Sequence, residues 1–160
     1  MAESLSLDRT DLRLLALLQQ DGRATNTDIA AQISLSPSAC LRRIQRLEAA
    51  GVIRGYAALV DPKAVGLGLQ AFVRVQLEKH GQQGLDPFIE GVNNWDEVVA
   101  CHALTGDMDY LLHVVVQDLE HFSQFLLDKL INATGVADVN SSFVLRTVKQ
   151  TRALPLGHLA

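Results

Sequence analysis

The sequence predicts an α+β protein, with about sixty residues of helix followed by a β-α-β-β-α-β segment. In the first part, apolar residues recur at helical spacing between cap and stop residues. In the second part, alternating apolar stretches of strand length are interrupted by two helical stretches. The 160 residues are 48% hydrophobic and 20% charged, which is ordinary globular usage. We expect a first domain over 1–60, a linker over 61–68 and a second domain over 69–160.

Cap residues mark the first two helices. Asp8 is placed to cap the first helix, Asp11 lies in its first turn, and Gly22 is expected to end it in the left-handed conformation. A second, shorter helix begins after Thr25 or Asn26, either of which is a favourable cap.

A third helix begins at Pro37, with Ser36 as its cap, and ends at Gly51. One face is predicted to be buried and carries Cys40, Leu41, Ile44 and Leu47. Another face is basic, since it carries Ser38, Arg42 and Arg46 at intervals of four, with Arg43 beside them. A short helix, a tight turn and a longer helix with an exposed arginine face form the helix-turn-helix arrangement.

Charge supports a confined site for a polyanion. The first sixty residues carry seven arginines against six acidic residues, whereas the rest is acidic and the whole chain has a net charge of −4. Arginine can bond guanine in the major groove or reach phosphates. We therefore predict double-stranded DNA as a partner, although a solvated basic helix face is the alternative. The predicted contacts are Ser36, Ser38, Arg42, Arg43 and Arg46, with Thr25, Asn26 and Thr27 holding phosphates.

The second part predicts a ferredoxin-like sandwich, in which two helices cover one face of an antiparallel sheet. A short strand over Tyr56–Val60 precedes it. The predicted elements are a strand over Gln70–Leu77, a helix opened by Asp86 and Pro87, a hairpin of strands within 97–104 and 109–116, a helix capped by Asp118, and a strand over Val139–Val148. The uncovered face is predicted to carry Phe72, His102, Leu112, Val114 and Val144, and a second copy of the chain would cover it.

The segment from Asp21 to Gly66 resembles the DNA-binding region of the Lrp/AsnC family of feast/famine transcription regulators. The resemblance is carried by Asp21-Gly22-Arg23, Leu35-Ser36-Pro37-Ser38, Cys40-Leu41-Arg42-Arg43, Arg46-Leu47-Glu48, Gly51-Val52-Ile53 and Gly55-Tyr56-Ala57. Ser34 departs from the family, which usually has glycine in this turn, so we expect modest backbone strain there. The segments 101–114 and 135–150 resemble the family's amino-acid-sensing domain, and the whole resemblance runs from about Leu7 to Thr151.

The resemblance implies dimers that assemble into octamers, with an effector pocket between neighbouring dimers. Carried over by position, it implicates Thr105, Gly106, Asp107 and Asp109, with Ser141 from a neighbouring subunit. An aspartate would pair the ammonium group of an amino acid, and backbone N–H groups near Gly106 would hold its carboxylate. The effector that the resemblance suggests is leucine or another apolar amino acid such as methionine. From the residues alone, Thr105-Gly106-Asp107 is first of all a turn.

Other function classes receive little support from the sequence. The nucleophile, phosphate-loop and dinucleotide motifs are absent, and the cysteines and histidines show no zinc spacing, so we predict no enzyme, no cofactor and no metal. Asp107 and Asp109 alone make a weak metal site. There is no membrane-length apolar run or secretory leader, so we expect a cytoplasmic protein at the nucleoid.

Three alternatives stay open at this point. One is an architectural protein that bends or wraps DNA without an effector, and another is a sensing domain that serves an enzyme. The third is an adaptor that binds only proteins.

Overall fold

The structure is a computed structural model that describes residues 6–78 and 85–159, and it divides into two compact units. The first unit runs to Leu59 and also takes in the chain from Lys149 onward, while the second spans Val60–Val148. The sequence prediction assigned residues 149–160 to the second domain, so the division differs there.

The first unit is built on three helices, α1 (Arg9–Gln20), α2 (Asn26–Gln32) and α3 (Pro37–Ala49). Asp8 caps α1 as predicted, and it does so reciprocally. The backbone N–H of Asp11 donates to Asp8 Oδ1 at 2.8 Å, and the N–H of Asp8 donates to Asp11 Oδ2 at 3.1 Å. The core of this unit consists of Leu14, Leu15, Ile29, Ala30, Ile33, Cys40, Ile44 and Leu47. Leu41 is not part of it, since it is 41% exposed.

The prediction that Gly22 ends α1 in a left-handed conformation is wrong. The chain leaves α1 at Asp21, whose φ of −139° and ψ of 96° are extended. The Asp21 carboxylate then accepts the N–H of Arg23 at 2.8 Å, which stabilises the turn without a positive φ.

The ends of α2 and α3 share one hydrogen-bond pattern but use different residues. After α2, the N–H of Leu35 donates to the carbonyl of Ala30 across Ser34, and after α3 the N–H of Val52 donates to Leu47 across Gly51. Gly51 has a φ of 71°, which glycine adopts without strain, whereas Ser34 has a φ of 57°. The strain expected at Ser34 is therefore present in the backbone.

The residues that return to the first unit at the end of the chain dock on α1. The N–H of Leu154 donates to Gln19 Oε1 at 2.6 Å, and Gln19 Nε2 donates to the Leu154 carbonyl at 3.3 Å. Leu156 packs against the helical core. A three-helix core of this size is small, so these contacts enlarge it.

The second unit is the predicted β-α-β-β-α-β sandwich. Its strands β1 (Leu69–Leu77), β2 (Val98–Ala103), β3 (Tyr110–Val116) and β4 (Val136–Phe143) form an antiparallel sheet in the order β2-β3-β1-β4. Helix α4 (Leu85–Asn94) follows β1. Helix α5 (Leu119–Gln124) follows β3, is capped by Asp118 as predicted, and continues as a π-helical segment over Phe125–Leu130.

The two faces of the sheet follow the register of β1 with β3. Ala71 lies opposite Val114 and Val73 opposite Leu112, and all four side chains are fully buried in the core. The prediction that Leu112 and Val114 lie on the uncovered face is therefore wrong by one residue of register. The uncovered face instead carries Phe72, Arg74, Ala100, His102, Leu111, His113 and Val115, as the strand pairing requires.

Aromatic and polar contacts organise the uncovered face. The rings of Phe72 and His113 stack with centroids 4.8 Å apart, and His113 Nε2 lies 3.2 Å from Gln70 Oε1. Burial lowers the pKa of His113. Arg74 Nη2 donates to Asn140 Oδ1 at 3.0 Å. Phe72 is nevertheless 41% exposed, so the face presents both apolar and polar groups to whatever covers it.

Several elements differ from the sequence prediction. β4 spans Val136–Phe143 and not Val139–Val148, and its pairing with β1 ends where Phe143 lies opposite Ala71. Residues 56–60 form no strand, since no described strand of the same chain pairs with them. Helix α4 begins at Leu85 and therefore includes Asp86, which the sequence predicts as its cap.

Replacing Ser34 with glycine is expected to raise the free energy of unfolding by up to about 1 kcal/mol. Removing the left-handed penalty of about 1–2 kcal/mol is partly offset by glycine's larger loss of backbone entropy. Urea unfolding measures the change. Ser38→Gly, in right-handed helical backbone, should instead lower stability, and a Ser34→Gly protein less stable than wild type would contradict the strain argument.

Candidate functional site

Helix α3 presents one row of exposed side chains on the side opposite the core. Ser36 caps the helix, since its Oγ accepts the N–H of Ala39 at 3.2 Å. Cys40, Ile44 and Leu47 are buried on one side of α3. Opposite them lie the exposed residues Ser38, Arg42 and Gln45, at positions i, i+4 and i+7 of one helical face, which we call the outer stripe.

Gln45 was not identified from the sequence, because the basic face was defined by charge. The i, i+4, i+7 spacing from Ser38 was the signal that would have found it. Arg42 makes no ion pair with any residue in the described parts of the chain, so its guanidinium group projects from the middle of the outer stripe.

The predicted phosphate contacts surround the start of α2. Thr25 is the cap residue, and its hydroxyl both accepts the N–H of Asp28 and donates to Asp28 Oδ2 at 2.6 Å. Thr27 is exposed and Asn26 is half-buried. The Asp28 carboxylate adds negative charge beside Thr25, so of the three residues Thr27 is the most accessible to a phosphate.

Arg43 and Arg46 are turned toward α1. Arg43 Nη1 donates to Asp11 Oδ1 at 2.8 Å and to Asp8 Oδ2 at 2.7 Å, while Arg46 Nη2 donates to Asp11 Oδ2. The Asp11 side chain is fully buried, whereas the side chains of Arg43 and Arg46 are 29% and 43% exposed. Two guanidinium groups therefore neutralise one buried carboxylate.

The size of this interaction decides how the two arginines can be used. Leaving a buried carboxylate without its partners costs about 3–5 kcal/mol. A good bidentate contact to a base contributes about 1–3 kcal/mol of discrimination. A contact of Arg43 or Arg46 with a base would therefore compete with its ion pair to Asp11, and the role of the two arginines in DNA binding stays a prediction.

Sequence reasoning missed the role of Asp11, to which it assigned only an interaction with the helix dipole. Its partners lie 32 and 35 residues further along the chain, and no local pattern reports such a contact. Half of the residues of α1 are polar or charged, so the sequence did not mark Asp11 as buried.

The same network shifts two pKa values in opposite directions. The pKa of Asp8 is lowered, mainly because the N–H of Asp11 donates to its carboxylate and secondly because Arg43 does. The pKa of Arg43 is raised by its bonds to Asp8 and then to Asp11. Both shifts favour the charged pair.

The predicted effector loop connects β2 and β3 and is held against the end of β1. The N–H of Leu104 donates to the Asp109 carbonyl at 2.8 Å, and the N–H of Asp109 donates to the Val75 carbonyl at 2.9 Å. Gly106 has a φ of 122°, which side chains rarely allow, and no atom lies within 4 Å of where a Cβ would stand. Thr105, Gly106, Asp107 and Asp109 are all exposed.

Asp109 is oriented by the sheet. Its Oδ2 accepts the N–H of Leu77 at 2.7 Å, so the carboxylate is anchored at the end of β1. Nearby, Gln76 Nε2 donates to the Asp107 carbonyl at 3.1 Å, which fixes the backbone of the turn. The loop thus holds an accessible carboxylate in a defined orientation, as recognition of an ammonium group requires.

Ser141 lies on β4 opposite Val73, and β1 separates β4 from β3. Within one chain it therefore stands on the far side of β1 from the effector loop. This placement is compatible with the expectation that Ser141 reaches the loop of a neighbouring subunit.

Among residues 6–78 and 85–159 there is no cluster of three or more potential metal ligands, and Asp107 and Asp109 have no third partner there. No helix of the described chain is long and apolar enough to span a bilayer.

Comparison with known families assigns both units. The model of the winged helix-turn-helix DNA-binding domain matches residues 7–54, and that of the Lrp/AsnC ligand binding domain matches residues 70–154. The chain belongs to the Lrp/AsnC family. It is a transcriptional regulator with a DNA-binding domain and a ligand-binding domain, as the sequence predicts.

Individual Lrp/AsnC proteins resemble the chain over nearly its whole length. The structure of transcriptional regulator NMB0573 from Neisseria meningitidis, a complex with L-Met, is 49% identical, has a TM-score of 0.93, and covers 96% of this chain and 99% of its own. The glutamate uptake regulatory protein of Zymomonas mobilis is 39% identical over 94% of this chain and 91% of its own. The leucine-responsive regulatory protein of Escherichia coli K12 is 36% identical over 92% and 90%.

Asp8→Asn is expected to reduce stability at neutral pH but not in acid. A carboxyl whose pKa is lowered by folding stabilises the protein above its unfolded pKa, and this contribution is lost as pH falls through the folded value. The effect should stay below about 1 kcal/mol, because the pair with Arg43 is half exposed. Urea unfolding between pH 2 and 7 measures it.

Asp21→Asn is the matched control, since Asp21 is exposed and its carboxylate makes no ion pair with an arginine side chain in the described chain. A difference between Asp8→Asn and wild type that persists unchanged to the lowest pH would contradict the prediction.

Proposed function

We propose that this protein binds specific sites on double-stranded DNA through α3 and that an apolar amino acid, methionine or leucine, modulates its assembly or its DNA binding. The observation that supports DNA reading is the outer stripe, which leaves Ser38 and Arg42 exposed on a helix whose opposite face is buried. We expect Thr27, with Thr25, Asn26 and Ser36, to contact phosphates flanking the groove.

Methionine is the first candidate effector. The neighbour whose structure contains L-Met is 49% identical to this chain, against 36% for the leucine-responsive protein. The carboxylate of Asp109 is accessible and anchored, which suits it to the ammonium group of the ligand. The open space beside Gly106 would let the ligand's carboxylate approach the backbone N–H groups of the loop.

We further propose that two copies of the chain pack through the uncovered face of the sheet. This face is only partly apolar, but Phe72 stacks on His113, its partner across β1 and β3, and Leu111 lies on the same face diagonally from Phe72. A two-fold pair would also present two copies of α3 to a palindromic site. Contact between two such dimers would bring Ser141 of one dimer to an effector loop of the other. Four dimers would complete an octamer.

The site of action follows from these proposals. A protein that binds DNA and a cytosolic amino acid acts in the cytoplasm, at the nucleoid of a bacterial or archaeal cell. We propose no catalytic activity for either unit, since the relatives of the chain are regulators.

Methionine is expected to stabilise the wild-type protein and to have little effect on Asp109→Asn. A ligand at 100 times its dissociation constant adds about 2.7 kcal/mol to the free energy of unfolding. Thermal melting with each of the twenty amino acids measures the selectivity. Asp128→Asn on the π-helical segment is the control, because it removes the same charge far from the loop in sequence and should melt and respond like wild type.

No shift with any amino acid would contradict the effector proposal and favour an architectural protein. An equal shift in wild type and Asp109→Asn would instead contradict only the site.

Phe72→Arg is expected to convert the dimer into a monomer without unfolding it. Two arginines brought together across a two-fold axis repel each other and lose the apolar contact. Sedimentation at micromolar concentration measures the mass. Leu127→Arg, at a residue that is 59% exposed on the helical side, should leave the dimer intact. A wild-type chain that sediments as a folded monomer would contradict the proposed interface.

A further inference from the structure

The three arginines of α3 do not belong to one class. Arg42 lies in the outer stripe, two positions along the helix from buried Cys40 and Ile44. Arg43 instead follows Cys40 by three positions and precedes Leu47 by four, so it emerges at the edge of the buried face. Helix geometry alone therefore directs Arg43 toward α1 and Arg42 toward solvent.

The buried carboxylate of Asp11 completes this separation. It receives a hydrogen bond from Arg43 on one oxygen and from Arg46 on the other, and its burial is complete. Withdrawing either guanidinium would remove one of the hydrogen bonds that pair a carboxylate buried away from water, which is unfavourable. Arg43 and Arg46 are partly exposed, but each directs a nitrogen at Asp11.

We propose that Asp11 is a positioning residue, which holds Arg43 and Arg46 against α1 and thereby leaves the reading of sequence to the outer stripe, including Gln45. This inference rests on the proposed function and deepens it by separating base-reading residues from residues that orient the helix.

Gln45 supplies a chemistry that the arginines lack. Its amide can bond N6 and N7 of adenine at once, while Arg42 can bond O6 and N7 of guanine. The two side chains stand three positions apart on the exposed side of α3, which places them one helical turn apart along a groove. We therefore expect an adenine and a guanine among the bases that determine affinity.

The first experiment tests Gln45. The wild-type chain selects duplexes from a randomised library, and the enriched duplex and a random duplex serve as probes. Gln45→Ala should bind the enriched duplex about 5- to 150-fold more weakly and lose its preference at one base pair, with unchanged affinity for the random duplex. Gln20→Ala, at an exposed glutamine of α1, is the matched control and should match wild type on both probes.

The second experiment tests Asp11 by a readout that loss of structure would not produce. Asp11→Asn releases two guanidinium groups, so it should bind the random duplex more tightly. The slope of log affinity against log salt should steepen by up to about 1.8, since each phosphate contact contributes about 0.9. Asp21→Asn removes the same charge from the same unit without releasing an arginine, and it should leave the slope unchanged.

Arg46→Gln keeps the test decisive if Asp11→Asn does not fold. An arginine committed to Asp11 makes no phosphate contact, so the salt slope of a folded Arg46→Gln protein should equal that of wild type. A slope shallower by about 0.9 would overturn the inference.

The remaining outcomes separate this inference from the proposed function. An enriched duplex to which Gln45→Ala binds as tightly as wild type would overturn the inference alone, as would an equal loss on both probes. Failure of the wild-type chain to enrich any duplex would overturn the proposed function and this inference together.

Discussion

The DNA-binding unit depends on one buried carboxylate. Asp11 caps α1 together with Asp8 and accepts hydrogen bonds from Arg43 and Arg46 of α3, so a single side chain joins the start of one helix to the middle of another. A three-helix core of this size is small. Charged hydrogen bonds have preferred directions and apolar contacts do not, so the bonds to Asp11 restrict the orientation of α3 relative to α1.

The turn before α3 works under a related constraint. Ser34 adopts a left-handed backbone between α2 and α3, and Ser36 then caps α3 with Pro37 behind it. The turn, the cap and Asp11 together determine where α3 begins and how it is rotated about its axis. A rotation by one residue, about 100°, would bring Leu41 or Arg43 to the place of Arg42. Which side chains of α3 face outward is therefore a consequence of packing on the opposite face.

Much of this was predictable from the sequence, and the failures share a physical cause. Caps, alternation and turns are local signals, and they predicted all three helices of the first unit, the β-α-β-β-α-β order of elements along the second and the cap at Asp118. Leu112 and Val114 were placed on the wrong face because register depends on the partner strand. The role of Asp11 and the end of β4 also depend on contacts with residues distant in sequence. The effector site is harder still to predict from one sequence, because β1 separates the strand of Ser141 from the strand that follows the loop at Asp109.

The most direct test of this account is a crystal structure of the protein bound to a duplex that it selects. The account predicts Arg43 and Arg46 on Asp11, with nitrogen–oxygen distances of about 3 Å as in the unbound chain, and Arg42 and Gln45 against base edges. A complex in which either Arg43 or Arg46 leaves Asp11 to bond a base would contradict it, because the buried carboxylate would then not set the orientation of the helix.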